Sequence, residues 1–331
     1  MDWKHPVPRI TEAEYRARLD RLRARMDQAG VAGTLLGSTD SLRYFTGLVW
    51  HQSERLLGPQ CKLALDDALP LFVYHALAGE LGAERLVDGA PLVRGLRAQK
   101  SAAEIALIQH AMGITMEIQR KVFSMLAPGV AASEVVKFID QQHRLAGADD
   151  GSTFAIVSFG QATSLPHGAD GDQVLARGNV ILVDTGCRLD GYHSDLTRTY
   201  MLDDVDSEFA RGWAIEREAQ QAVFDAAVIG ASCENLDRAA RDVLARHGLG
   251  PDYRLPGLPH RAGHGLGLEI HEAPYIVRGN KTPLAAGMCF SNEPMLVFPG
   301  MFGIRLEDHI YMAEDGPRWF TTPAKGPDDI G

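Results

Sequence analysis

Residues 179–202, NVILVDTGCRLDGYHSDLTRTYML, decide the fold of the larger part of this chain. Two apolar, β-rich runs flank the dipeptide Asp190-Gly191, a strong signal for a tight hairpin. A hairpin here brings Asp184 and Asp195 near each other. They stand eleven residues apart, so sharing one sheet face depends on the turn register or on a bulge. Asp184 ends the run ILVD, and a carboxylate there leaves water as the strand folds, which is costly without a partner. Taken alone, Asp184 also reads as a turn aspartate before Thr185-Gly186, and Asp195 alone carries no signal.

Working outward, helical and strand-like patterns alternate. Thr11 and Glu14 form a capping-box pattern for a first helix, with a stripe at Tyr15, Leu19, Leu22 and Met26 and a stop at Gly30. VAGTLL (31–36) and LPLFVY (69–74) read as strands. Together these predict a small α/β domain over residues 1–95. A second capping box, Ser101 with Glu104, opens a long helix to about Met125, closed by Pro128-Gly129. A helix over 133–145 follows, then the strand FAIVSF from Phe154 and the hairpin above. The pattern recurs: helices over 206–229 and 233–247, then strands MCFSNEPMLV and FGIRLEDHIYMA. The expected class is α/β (α+β), with residues 96–331 forming two pseudo-duplicated helix-helix-strand halves.

The second half carries three more chemical residues. Glu293 sits in SNEPMLVF and Glu307 in GIRLEDHI, both read as lying inside apolar strands. His264 lies in the glycine-rich stretch RAGHGLGLEIHE, where small residues permit close backbone approach. Each has a bland reading, a salt-bridged strand glutamate or a satisfied core histidine. Together they demand charge balance. Four clustered carboxylates repel each other. One divalent ion cannot neutralise them, whereas two can, with two bridging carboxylates and one imidazole. Oxygen-rich ligation with one nitrogen suits Mn²⁺ first, with Zn²⁺ or Co²⁺ as alternatives.

VDTG, HSDLTRT, GHGLGLEIHE, SNEP and RLED resemble, in order and spacing, the five metal-ligand segments of the pita-bread metallopeptidases, the family of methionine aminopeptidase, aminopeptidase P and prolidase. The resemblance covers about residues 96–315. It implies Asp184, Asp195, His264, Glu293 and Glu307 as ligands of two divalent ions. LRAQKSAAEIALIQHA from Leu96, the preceding small domain and the Arg of RLED resemble the proline-specific branch, most of all Xaa-Pro dipeptidase. In that branch the resemblance makes Glu293 a bridging ligand and also the general base, His271 the group that stabilises the oxyanion, and His167 (in SLPHGAD) a substrate contact. His260 and Arg305 line the proline side. A guanidinium suits a proline carboxylate, although Arg305 also reads as salt-bridged to a neighbouring acid and His260 as a structural histidine. Thr197, Arg198 and Thr199 are candidates to orient the ligands. The first domain is shorter than in larger members, and the family often forms homodimers.

Composition narrows the alternatives. The 331 residues carry a net charge of -10 with no Lys/Arg cluster, so a nucleic-acid interface is unsupported. Cys61, Cys187, Cys233 and Cys289 form no CxxC pair and read as buried free thiols. No signal-peptide pattern opens the chain, and no apolar run reaches the ~18 residues that span a bilayer; a cytoplasmic protein is expected. The expected activity is hydrolysis of the Xaa-Pro imide bond in a small peptide with proline second, most simply a dipeptide. The alternatives are an Xaa-Pro aminopeptidase acting on longer peptides, an ectoine-hydrolase-like amidohydrolase, and a non-catalytic binding protein.

Overall fold

The computed structural model describes residues 9–37, 39–48, 62–166, 168–202 and 205–331. The chain divides into two compact units, Arg9–Lys100 and Ser101–Gly331.

In the first unit, α1 (Glu12–Ala29) is capped by Thr11, whose hydroxyl accepts from the Glu14 N–H at 3.3 Å, and ends at Gly30 in the left-handed region. Strands β1 (Gly33–Leu35), β2 (Leu63–Leu65) and β3 (Leu86–Asp88) form a parallel sheet in that order. Helices α2 (Asp40–Thr46), α3 (Leu71–Leu81) and α4 (Ala90–Arg97) complete it. The expected strand LPLFVY is instead the start of α3. A short apolar run does not distinguish strand from helix. Pro70, with φ -58, presets the helical entry, and HALAGEL continues it with good helix formers.

The second unit opens with α5 (Ala102–Met125) and α6 (Ala132–Leu145). The Ser101–Glu104 capping box is closed in both directions, at 3.3 and 2.9 Å. Strands β4 (Ser152–Phe159), β5 (Ile181–Leu189), β6 (Tyr192–His193) and β7 (Leu196–Tyr200) form one sheet with β5 at its centre. Then α7 (Ser207–Ala226) and α8 (Cys233–Arg246) repeat the helix pair. Strands β8 (Gly263–Gly265), β9 (Glu272–Ile276), β10 (Cys289–Asn292), β13 (Asp308–Ala313) and β14 (Gly316–Trp319) build a five-stranded sheet. Between them, β11 (Met295–Phe298) and β12 (Phe302–Arg305) pair as a separate hairpin.

The first helix of each half packs on the sheet that follows it and sends one buried glutamine into it. Gln119 of α5 donates to the carbonyls of Val183 (3.0 Å) and Leu196 (3.1 Å). Gln220 of α7 donates to Leu306 O at 2.9 Å and Asp308 Oδ2 at 3.1 Å. Gln119 thus satisfies two strand carbonyls, and Gln220 a carbonyl in the gap between β12 and β13 together with the Asp308 carboxylate. No helix among the described residues is long and apolar enough to cross a membrane. Cys187, Cys233 and Cys289 are free and buried, and Cys61 lies outside the described residues.

Candidate metal centre

The hairpin sets the first two acids. Asp190 and Gly191 both have positive φ, 48° and 84°, the signature of a two-residue type I′ turn. The register then runs Leu189↔Tyr192, Arg188↔His193 and Asp184↔Thr197 without a slip. A two-residue turn places residues an odd number apart on the same face, so Asp184 and Asp195 project together. The ladder is pinched beside them. A Cβ on Gly186 would lie 1.9 Å from the Ser194 carbonyl oxygen, so only glycine admits the crossing strand.

The second pair sits where the strands break. SNEPMLV and GIRLEDHI were expected to be continuous. Instead, Asn292 pairs with Asp308 in the five-stranded sheet while Met295 pairs with Arg305 in the hairpin. Glu293-Pro294 and Leu306-Glu307 bridge the gap. Pro294 has no N–H to give to a ladder. The Glu293 N–H goes to Ala262 O at 3.0 Å and the Glu307 N–H to Thr197 O at 3.1 Å. Glu307 is thereby stitched to β7, which joins the two sheets at the acids.

His264 on β8 is fixed on both sides. Its backbone N–H donates to Ser291 Oγ at 2.8 Å, and Ser291 Oγ donates to Glu293 Oε1 at 3.0 Å. Nδ1 lies 3.0 Å from Gly265 O and donates to it, which turns Nε2 toward Glu293 Oε1 at 3.1 Å and Asp195 Oδ2 at 3.8 Å. A ring held this way through its other nitrogen is the arrangement of a ligating histidine.

Donor atoms of Asp195, Glu307 and His309, of His264, Glu293 and Glu307, and of Asp195, His264 and His271 each lie within 4.8 Å of one another. Asp195, His264 and Glu307 each recur in two of these groups, and Asp184 is in none of them. Burial, together with the charges of Glu307, Asp184 and Glu293, pushes the Asp195 pKa well up; burial and the neighbouring acids do the same to Glu307. Burial also raises Asp184, against the opposing charge of Arg305. At Glu293 burial is outweighed by His264, His260 and Arg305, and its carboxyl is held below the usual range. Asp184 Oδ1, Asp195 Oδ1 and Glu307 Oε1 are buried without a hydrogen-bond partner among the described residues. Such atoms are rare in folded proteins and destabilising. Clustered acids, orphaned oxygens and an imidazole aimed among them fit divalent cations.

Arg305 is buried and committed. Its guanidinium pairs with Asp184, donates to Thr197 Oγ1 at 3.0 Å, and reaches Pro166 O at 3.4 Å. The neighbouring-acid reading describes it better than a free carboxylate grip. Thr197 Oγ1 donates to Glu307 Oε2 at 2.7 Å. Thr199 Oγ1 donates to Arg305 O at 2.8 Å. Arg198 pairs with Asp308 at 2.6 Å and donates to Glu307 O at 2.7 Å. The TRT stretch therefore orients both an acid and the guanidinium.

His260 gives Nδ1–H to Arg261 O at 2.6 Å and leaves Nε2 buried without a partner among the described residues; burial lowers its pKa. His271 is exposed, its ring 4.0 Å from that of His264. His167 lies outside the described residues. His309 escaped the sequence reading. It is fully buried, with burial pushing its pKa down to about 3. Its signal was available, since a residue two after Glu307 on a strand shares its face.

Residues 106–314 match the model of metallopeptidase family M24, and residues 18–58 match the creatinase/prolidase N-terminal domain. The chain is 37% identical over 260 residues to a probable dipeptidase PepE of Mycobacterium tuberculosis, covering 78% of this chain and 68% of the relative. It is 34% identical over 258 residues to an Xaa-Pro dipeptidase of Lactobacillus helveticus, covering 77% and 68%. The crystal structure of dipeptidase PepE from Mycobacterium ulcerans superposes with a TM-score of 0.87 at 30% identity, covering 97% of this chain and 99% of that one. The helix-helix-strand halves are thus a pita-bread fold behind a creatinase/prolidase-type N-terminal domain, and the chain belongs to the M24 metallopeptidases, a family of hydrolases that use divalent metal ions.

Proposed function

We propose that this protein hydrolyses the Xaa-Pro imide bond of dipeptides, releasing proline, at a centre that holds two divalent cations. The observation that carries the reading is the burial of four carboxylates in one cluster with His264: donor atoms of Asp195, His264, Glu293 and Glu307 fall in overlapping groups within 4.8 Å, and oxygens of Asp184, Asp195 and Glu307 lack hydrogen-bond partners among the described residues, more negative charge than one divalent cation would balance. The relative from Lactobacillus helveticus, an Xaa-Pro dipeptidase, supplies the substrate class. Asp184, Asp195, His264, Glu293 and Glu307 are the ligands. On this carboxylate-rich set alone, Mn²⁺ is the expected ion, ahead of Zn²⁺ or Co²⁺. The cations supply a water nucleophile at neutral pH and a Lewis acid for the scissile carbonyl.

The remaining work falls to side chains. Glu293, held ionised, takes the proton of the attacking water on a carboxylate oxygen. Ser291 Oγ fixes that carboxylate through its hydrogen bond to Oε1. His271, exposed beside His264, stabilises the developing oxyanion. By the family resemblance His260, whose buried Nε2 lacks a partner among the described residues, lines the proline side and His167 contacts the substrate. An Xaa-Pro bond lacks an N–H and its ring fixes φ near -65°, so a dedicated pocket is needed. Arg305 orients Asp184 and acts on the substrate only through it.

That commitment of Arg305 favours a second reading. Without a free guanidinium gripping the proline carboxylate, cleavage of longer Xaa-Pro peptides from the amino end is the competing activity. Incubation of an Xaa-Pro dipeptide and an Xaa-Pro-Xaa tripeptide with Mn²⁺-loaded protein separates the two. Proline release from the dipeptide is expected. Cleavage of the tripeptide alone selects the aminopeptidase, and metal binding with neither cleaved selects a non-peptide amidohydrolase.

A further inference from the structure

His309 stands outside the five-residue set and has no other evident task. It lies on β13 opposite Ser291 of β10, the serine that positions both His264 and Glu293. Its backbone is held by the Phe320 N–H at 2.9 Å. The ring is fully buried; neither nitrogen makes a well-aligned hydrogen bond among the described residues, and its one polar backbone neighbour of note is Asp195 itself. A donor nitrogen of this ring lies within 4.8 Å of carboxylate oxygens of both Asp195 and Glu307. The Asp195 Oδ1 and Glu307 Oε1 atoms are buried and unpartnered among the described residues. An imidazole nitrogen beside two unpartnered carboxylate oxygens is a donor set that fits a divalent cation.

We propose that His309 is a second imidazole ligand of the metal centre, acting with Asp195 and Glu307. The inference rests on the metal-centre reading above and concerns which ion the centre selects. Four carboxylates with one imidazole favour Mn²⁺; a second imidazole moves the site toward Zn²⁺ or Co²⁺. His309 is thus a specificity-determining residue for the metal, and its loss returns selectivity toward Mn²⁺.

The test reads the ion and does not depend on turnover. Metal-stripped wild type, His309→Leu and His309→Gln are titrated with Co²⁺ and with Mn²⁺ by calorimetry, and imidazoles per chain are counted by X-ray absorption at the cobalt edge. The substitutions are expected to weaken Co²⁺ about 10- to 100-fold, to weaken Mn²⁺ far less, and to remove one imidazole from the count. An unchanged count, or an equal loss for both ions, overturns the assignment while leaving the five-residue centre standing. Failure of the wild type to bind either ion overturns the centre and His309 together. A His271→Ala protein, altered only at an exposed position, covers the case in which His309 variants do not fold. Its cobalt form is expected to show two imidazoles, and a single one overturns the proposal.

Discussion

Gln119 and Gln220 hold equivalent positions in the two halves of the catalytic unit. Each leaves the first helix of its half, is fully buried, and donates its amide to carbonyls beside acids of the centre, Val183 and Leu196 in one case and Leu306 in the other. The duplication thus repeats a device for holding carboxylate-bearing strands as well as an order of elements. Replacing Gln119 by alanine strands the carbonyls of Val183 and Leu196, and replacing Gln220 strands the Leu306 carbonyl and Asp308 Oδ2. Each change is expected to cost about 1–3 kcal/mol of stability, read as a lowered urea midpoint. A midpoint equal to wild type would show that the amides do not hold the strands.

The Arg305–Asp184 pair makes a prediction that depends on metal. Arg305→Ala leaves Asp184 buried and uncompensated, which is strongly destabilising, by about 3–5 kcal/mol. Saturating divalent ion supplies the missing charge, so the deficit should shrink in the loaded protein. Thermal unfolding of the variant with and without ion checks this. A deficit of equal size in both states would mean that Asp184 does not meet the cation.

Glu293→Ala removes a ligand and the proposed base at once, while Glu293→Gln keeps the shape and loses the charge. Both should lower kcat by about 10²–10⁴-fold, the range of general acid–base catalysis. Alanine should also weaken metal binding more than glutamine. Turnover near wild type in the glutamine variant would remove Glu293 from proton transfer.

His143 links pH to stability away from the centre. It is buried between Thr115 Oγ1 (3.1 Å to Nε2) and Ser152 Oγ (2.9 Å to Nδ1). Burial lowers its pKa from 6.5 to about 4, against a raising influence of Asp140. The unfolded chain therefore binds a proton that the folded one refuses. The contribution is fully present above pH 6.5 and is lost progressively as pH falls toward 4, by about 3 kcal/mol in all. Unfolding free energies between pH 7 and 4 should decline with a slope that His143→Gln reduces. An unchanged slope would place the acid lability elsewhere.

What the sequence made legible follows from how local each signal is. Asp190-Gly191 specifies its own turn, and the turn fixes the register that aligns Asp184 with Asp195. The spacing of the acids and His264 was readable for the same reason. The breaks at Glu293-Pro294 and Leu306-Glu307 were not, because each apolar run keeps a strand pattern while its ladder partner changes. The apolar start of α3 hid a helix whose evidence lies further along the chain. The pairing of Arg305 with Asp184 rather than with another acid is a fact of tertiary packing, to which residue order gives no direct access.

The central claim is a centre for two divalent ions built from Asp184, Asp195, His264, Glu293 and Glu307. The most direct measurement is the number of Mn²⁺ equivalents bound per chain by the metal-stripped protein, by calorimetry with elemental analysis of the product. The account predicts two, falling to one or none in Asp195→Asn and Glu307→Gln, the variants that lose a shared carboxylate. A wild-type protein that binds one ion or none at saturation would contradict it.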